Sequence, residues 1–246
     1  MTVEILFETL RKEFKKILAE HGCDVGSISI HAQGMTPEEA IGNTSRKDYP
    51  ILNGKEIMLK AEYKGCIGQA FTSTPADYEG SLQDIIEADI VSDEYARALF
   101  IAALNAVMKY LGLTDKTIHC RNDEPELCAG DCMKWLSDNY DKPKILQVGY
   151  QPALFARLAE KYEMRLLDLN PVNIGKEQHG VTVENGKTAM DDAIEWADLI
   201  LCTGSTLVNG SIVDYMELNK DVRFYGTTLA GAAALLNLNR ICFRAE

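Results

Sequence analysis

The sequence predicts an α/β protein: a Rossmann-like parallel sheet with helices on both faces in the carboxyl-terminal part, preceded by a smaller α+β domain. Three observations carry this expectation. First, Lys144-Ile-Leu-Gln-Val-Gly149 reads as a short buried strand, Pro152 to Tyr162 as an amphipathic helix and Met164 to Leu169 as a second apolar strand. Two parallel strands need such a crossover. Second, Asp198 to Thr203 and Val222 to Gly226 are further apolar runs that each deliver small polar residues to a helix start. Third, the composition changes near Lys142-Pro143, which divides the 246 residues into an α+β domain at 1–141 and a Rossmann-like domain at 142–246.

In the first domain Thr2 caps a helix whose apolar residues Leu6, Leu10, Phe14, Ile17 and Leu18 recur at helical spacing, with Gly22 at its exit. Val25 to Gln33 alternates as a strand, and Gly34 to Lys47 is a polar loop. Asn53-Gly54 separates Tyr49 to Leu52 from Lys55 to Tyr63, the signature of a β-hairpin. Gly65 to Phe71 is a strand candidate whose two glycines permit a close backbone approach, by a ligand or at a bend. Ser92, Asp93 and Glu94 open a helix that is apolar on nearly every side up to Gly112, so it belongs in the core, and Asn105 inside it needs hydrogen-bond partners.

The segment His119-Cys120-Arg-Asn-Asp-Glu-Pro-Glu-Leu-Cys128-Ala-Gly-Asp-Cys132 gathers an imidazole and three thiols. Cys128 and Cys132 are four apart and share one face of a helix. Thiolate and imidazole together favour a soft transition metal, and the interleaved Asp123, Glu124, Glu126 and Asp131 suit harder cations. The spacing is not that of a zinc ribbon or ferredoxin, so metal ligands and reduced thiols both remain open. Cys23, Cys66, Cys202 and Cys242 stand alone among apolar residues and read as small core hydrophobes.

In the second domain Tyr150 and Gln151 stand where the dinucleotide fingerprint requires glycine, so no conventional dinucleotide fingerprint exists. Asp168 follows Gly149 at about the spacing of a ribose-binding acid. Pro171 to Lys187 is a long polar connection holding His179. The strand ends nominate a ligand site: Gly149 and Tyr150, Asp168 and Asn170, Thr203, Gly204, Ser205, Thr206 and Asn209, and Thr227 with Thr228. Hydroxyls and free N–H groups at helix starts there form a cradle for an anion or a carbonyl.

These residues bear a resemblance. Ile145-Leu-Gln-Val-Gly149, Leu167-Asp-Leu-Asn170, Ala197-Asp-Leu-Ile-Leu-Cys-Thr-Gly-Ser-Thr-Leu-Val-Asn-Gly210 and Tyr225-Gly-Thr-Thr228 resemble the heavy-metal-chelation family of bacterial and archaeal proteins. The resemblance implies an amino-terminal domain like that of enolase, a Rossmann-like domain, and a site in the cleft between them.

A formal net charge of −12 opposes nucleic-acid binding, which depends on clustered Lys and Arg. The charged Met1 to Ala19 segment is no signal peptide and no stretch suits a membrane span, so the expected location is cytoplasmic, without a membrane partner. Expected partners are a small molecule or metal, and a homodimer is compatible with the sequence. Three functions follow: metal handling with a small-molecule site in the cleft, an enzyme acting on a nucleoside-containing or pterin-like compound, and a non-catalytic sensor or assembly protein.

Overall fold

The computed structural model describes residues 1–53, 57–75 and 77–246. Helix α1 (Val3–Glu20) starts where Thr2 Oγ1 accepts the Ile5 N–H, and it buries Leu6, Leu10, Phe14 and Leu18. Strand β1 (Ser29–Met35) follows, then a short helix α2 (Pro37–Ile41) begun by a reciprocal capping box between Thr36 and Glu39. Strands β2 (Ile57–Tyr63), β3 (Cys66–Thr72) and β4 (Tyr78–Ser81) complete an antiparallel sheet of order β3-β2-β1-β4. Helices α3 (Leu82–Glu87), α4 (Glu94–Tyr110) and α5 (Glu124–Asn139) then lead to the second sheet.

The structure corrects the expected hairpin. Residues Pro50–Asn53 form a 3₁₀ turn instead of a strand, and Gly54 lies outside the described residues. Strand β2 turns into β3 across Lys64 and Gly65, both at positive φ (49° and 78°), and pairs along its other edge with β1. Two consecutive left-handed residues match the right-handed twist of the strands they join.

The second sheet is built from β5 (Ile145–Val148), α6 (Pro152–Ala159), β6 (Met164–Asp168), β7 (Glu177–Gln178), β8 (Val181–Asn185), α7 (Met190–Trp196), β9 (Leu199–Thr203), α8 (Thr206–Asn209), α9 (Val213–Met216), β10 (Asp221–Tyr225), α10 (Ala230–Leu236) and β11 (Arg240–Ile241). Its order is β11-β10-β9-β5-β6-β8-β7, parallel except where β7 folds back on β8. Connections reverse direction between β9 and β5, so the crevice at their carboxyl ends is the topological switch point. The α/β architecture expected from sequence is therefore the one found. The stretch 171–187 departs from expectation: β8 lies within it and pairs with β6, although only Val183 of that strand is fully buried.

Period-two alternation splits the parallel sheet between two cores. Leu146, Val148, Ile200 and Cys202 join the core that holds α1 and α4. Ile145, Leu199 and Leu201 pack with Phe155 of α6 and with Ala129, Cys132 and Leu136 of α5. Helix α4, buried from Ala96 to Met108, lies against β3 and β2 on one side and α10 on another. The Gly68 position shows how close that contact is, since a Cβ there would overlap Ala106 N and Ala102 O and come within 2.7 Å of Asn105 Cβ. The close approach anticipated from the glycines of this strand is thus made by α4.

Asn105 is fully buried in that contact. Its amide nitrogen donates to the carbonyls of Gln69 (2.9 Å), Thr228 (3.0 Å) and Thr227 (3.3 Å), and its oxygen accepts the Gly231 N–H (2.7 Å). Replacing Asn105 by Ala strands three carbonyls and an N–H in the core, so we expect urea unfolding to show about 2 to 4 kcal/mol of lost stability at unchanged m. A loss under about 0.5 kcal/mol would show that the amide is dispensable.

Candidate functional site

Three stretches of chain converge beside the switch point. Residues 117–120 run along β3: Gln69 N–H donates to Thr117 O (3.1 Å), and Gln69 Oε1 accepts the His119 N–H (2.7 Å). Ile118 and Glu246 exchange both main-chain hydrogen bonds, at 2.8 and 3.0 Å, which lays residues 242–246 alongside. Helix α5, packed on α6, supplies the third wall. Together with the ends of β5, β9 and β10 they enclose a cavity of about 170 Å³.

That cavity unites much of what the sequence nominated. His119, Cys120, Cys128 and Cys132 line it, and so do Gly149, Tyr150, Asp168, Thr203, Gly204, Ser205, Thr227 and Thr228. Asn170, Thr206 and Asn209 instead line an adjoining cavity on the other side of the strand ends. Sequence reasoning missed Cys242 and Phe243, which also line the first cavity. Only the strand-like Arg240 to Arg244 run hinted at them, and nothing local placed Cys242 beside Cys128, more than a hundred residues earlier.

The thiols differ sharply. The Cys120 thiol hydrogen-bonds to Cys128, which together with burial pushes Cys120 well above the ordinary thiol range. Cys128 is held below that range, because it receives that hydrogen bond and two more from the N–H groups of Phe243 and Arg244, outweighing its own burial. Burial raises Cys132 to about 12 and also raises Cys242. The His119 pKa is lowered by burial, and its Nδ1 lies 2.6 Å from the Cys120 carbonyl. A carbonyl only accepts, so Nδ1 carries the proton and Nε2 of the neutral ring keeps its lone pair, as in imidazoles that bind metals.

The four acids of the segment are spent on structure. Asp123 accepts from Ser45 Oγ (2.8 Å), Glu124 from the Arg121 N–H (2.8 Å), Glu126 pairs with Arg46 (3.1 Å), and Asp131 pairs with Arg244 (2.5 Å). A hard-cation site among them is therefore corrected to a set of loop and tail anchors. Among the described residues no three His, Cys, Asp or Glu side chains stand in an arrangement that would hold a metal ion. The donors suit a soft ion, but the preformed part is the Cys120–Cys128 pair.

The strand-end loops are tighter than a free cradle. Gly204 N–H donates to Tyr225 O (2.7 Å), and Thr206 Oγ1 donates to Thr203 O (2.6 Å). Ser205 makes no capping bond. Thr228 Oγ1 accepts the Phe71 N–H (3.0 Å), while Tyr225 OH donates to Gly149 O (3.0 Å). Gly149 sits at φ +81°, and a Cβ there would lie 2.5 Å from Thr203 Cγ2. Thr227 is the exception: the residue is 2% exposed and lines the cavity, and its Oγ1 has no hydrogen-bond partner among the described residues. A buried hydroxyl without a partner is costly and marks a place where a ligand atom or water is received.

Residues 133–236 match the family model DUF364, "Putative heavy-metal chelation". The matched segment begins within α5 and runs through the strand ends that line the cavity. The chain is similar to a crystal structure of a DUF364 protein of unknown function from Pyrococcus horikoshii, at 19% identity and TM-score 0.51, covering 91% of this chain and 79% of that one. A second DUF364 protein of unknown function, from Desulfitobacterium hafniense DCB-2, matches at 14% identity and TM-score 0.47, covering 73% of this chain and 71% of that one. The Pyrococcus likeness supports the fold. No curated protein matches the chain. Among the described residues no helix is long and apolar enough to cross a membrane.

The thiolate is the reactive form, and Cys128 keeps it as pH falls because its pKa is lowered. Under limiting iodoacetamide, we expect mass spectrometry to find Cys128 modified first, at a rate that holds between about pH 8.5 and 7 while a free thiol slows. Labelling of Cys128 that follows the free-thiol curve, or of buried Cys132 and Cys202 ahead of it, would contradict this electrostatic assignment.

Proposed function

We propose that this protein handles a soft metal, held in the cleft with a small organic molecule. The observation that carries this reading is that three sequence-local thiols, the distant Cys242 and a neutral imidazole share one cavity with the polar ends of a parallel sheet. Soft thiolates select ions such as copper(I) and zinc over magnesium or calcium. Cys128, poised as a thiolate, and its neighbour Cys120 supply the first two ligands. His119 Nε2 offers a third donor type, and the organic molecule completes the coordination. Its hydrogen-bonding group is received by Thr227 Oγ1, whose lack of a partner among the described residues supports that role. The family description points to the same chemistry.

The arrangement of the pair fits this role. A fully assembled four-ligand site would behave as a structural centre, whereas two adjacent thiols leave coordination positions for exchange. Metal handling needs that openness.

Anaerobically reduced protein should take up about one zinc or copper(I) ion per chain. The Cys120→Ser, Cys128→Ser double variant should lose at least about tenfold in affinity, which is about 1.4 kcal/mol, while Cys66→Ser, whose side chain is not part of the cavity, should bind as the parent does. Equal uptake by the double variant and the parent, measured by competition with a chromogenic chelator, would remove the thiols from the function.

A further inference from the structure

Beyond the thiol cavity lies a second one, of about 340 Å³, at the carboxyl ends of β5, β6 and β9. The two share Gly149, Asp168, Thr203 and Ser205, so they meet at the switch point of the sheet. We propose that this second cavity is a nucleoside subsite, taking a ribosyl group that carries no phosphate.

Asp168 ends the strand beside β5. Its Oδ1 accepts the Asn170 N–H (2.8 Å) and its Oδ2 accepts Asn173 Nδ2 (2.8 Å), so the carboxylate is held in one orientation with a lone pair left on each oxygen. A fixed carboxylate at the end of the second strand of a Rossmann-like sheet is placed to accept two hydrogen bonds from a vicinal diol. The cavity around it has two characters. Leu169, 42% exposed, forms an apolar flank with Met190 and Leu167, suited to the face of a heterocyclic base. The lining also includes the polar Thr206, Asn209 and Ser211, suited to the polar edge of that base.

Phosphate is excluded on two grounds. Helix α6 is the helix whose N-terminus would receive a pyrophosphate, but Gln151 Oε1 already accepts the Leu154 N–H there (2.5 Å), and Gly149 is followed by Tyr150 and Gln151 rather than by glycine. The cavity wall itself carries Asp168 and Asp214 against Lys187, so its balance of charge disfavours an anion. A neutral nucleoside meets neither obstacle.

This subsite does not depend on the thiols, and its test separates the two readings. Isothermal titration of metal-free protein uses adenosine, 2′,3′-dideoxyadenosine and AMP as probes. Adenosine should bind, and both the dideoxy analogue and AMP should bind at least tenfold more weakly. Asp168→Asn should lose at least tenfold in adenosine affinity. Because that change can also disturb residues 170–173, Leu169→Asp provides a second variant at an exposed position; it should lose adenosine binding while melting as the parent does. The Cys120→Ser, Cys128→Ser variant should bind adenosine unchanged even if its metal uptake is gone. Absence of adenosine binding at millimolar concentration, equal affinity for the dideoxy analogue, or tighter binding of AMP would each overturn the proposal.

Discussion

The Asn105 amide is the constraint on which the rest of this structure depends. It stands midway along the most buried helix, and its four hydrogen bonds reach β3 on one side and the Thr227 to Gly231 turn on the other. An amide in the core is tolerated only when satisfied, and this one is satisfied only if the two sheets keep one relative placement. Other buried polar groups repeat the device. Thr228 Oγ1 takes the Phe71 N–H. Arg97 donates to the carbonyls of Ile90, Val91 and Val208 while its guanidinium lies 4.9 Å from the centre of the Phe7 ring. Apolar packing supplies the driving force, and these directional bonds select which packing is adopted.

The cavity inherits its chemistry from that placement. Strand β3 carries Gln69, whose side chain positions His119, and the turn held by Asn105 carries Thr227. The tail at 243–244 then brings two N–H groups to Cys128, and the Arg244 pair with Asp131 pins that tail to α5. One thiol is consequently favoured as thiolate while its neighbour stays protonated as the donor. Neither property belongs to a cysteine in isolation; both follow from hydrogen bonds made by residues remote in sequence.

What was legible in the sequence was whatever burial imposes locally. Ile145 to Val148 and Leu199 to Cys202 are buried on both faces of the sheet, and with Met164, Leu166 and Leu167 buried in β6 they read as largely apolar runs. Asn105 was legible as a satisfied core amide because a helix apolar on nearly every side must be buried, and a buried amide needs partners for both its nitrogen and its oxygen. The hairpin was misplaced because Asn53-Gly54 carries the usual turn signal, whereas the real turn uses Lys64, a residue that rarely adopts positive φ. Strand β8 was hidden by polar residues, being near the sheet's edge. The candidate site was legible as two separate groups, the thiols and the strand ends, but their common cavity and the part played by Cys242 depend on tertiary contacts that leave no local trace.

The central claim is that the thiol pair and the sheet ends act as one metal-binding compartment. X-ray absorption at the zinc edge of anaerobically loaded protein tests it directly. Sulfur scatterers at about 2.3 Å, accompanied by lighter nitrogen or oxygen ligands, are the expected result. A shell composed only of nitrogen and oxygen at about 2.0 to 2.2 Å would contradict it.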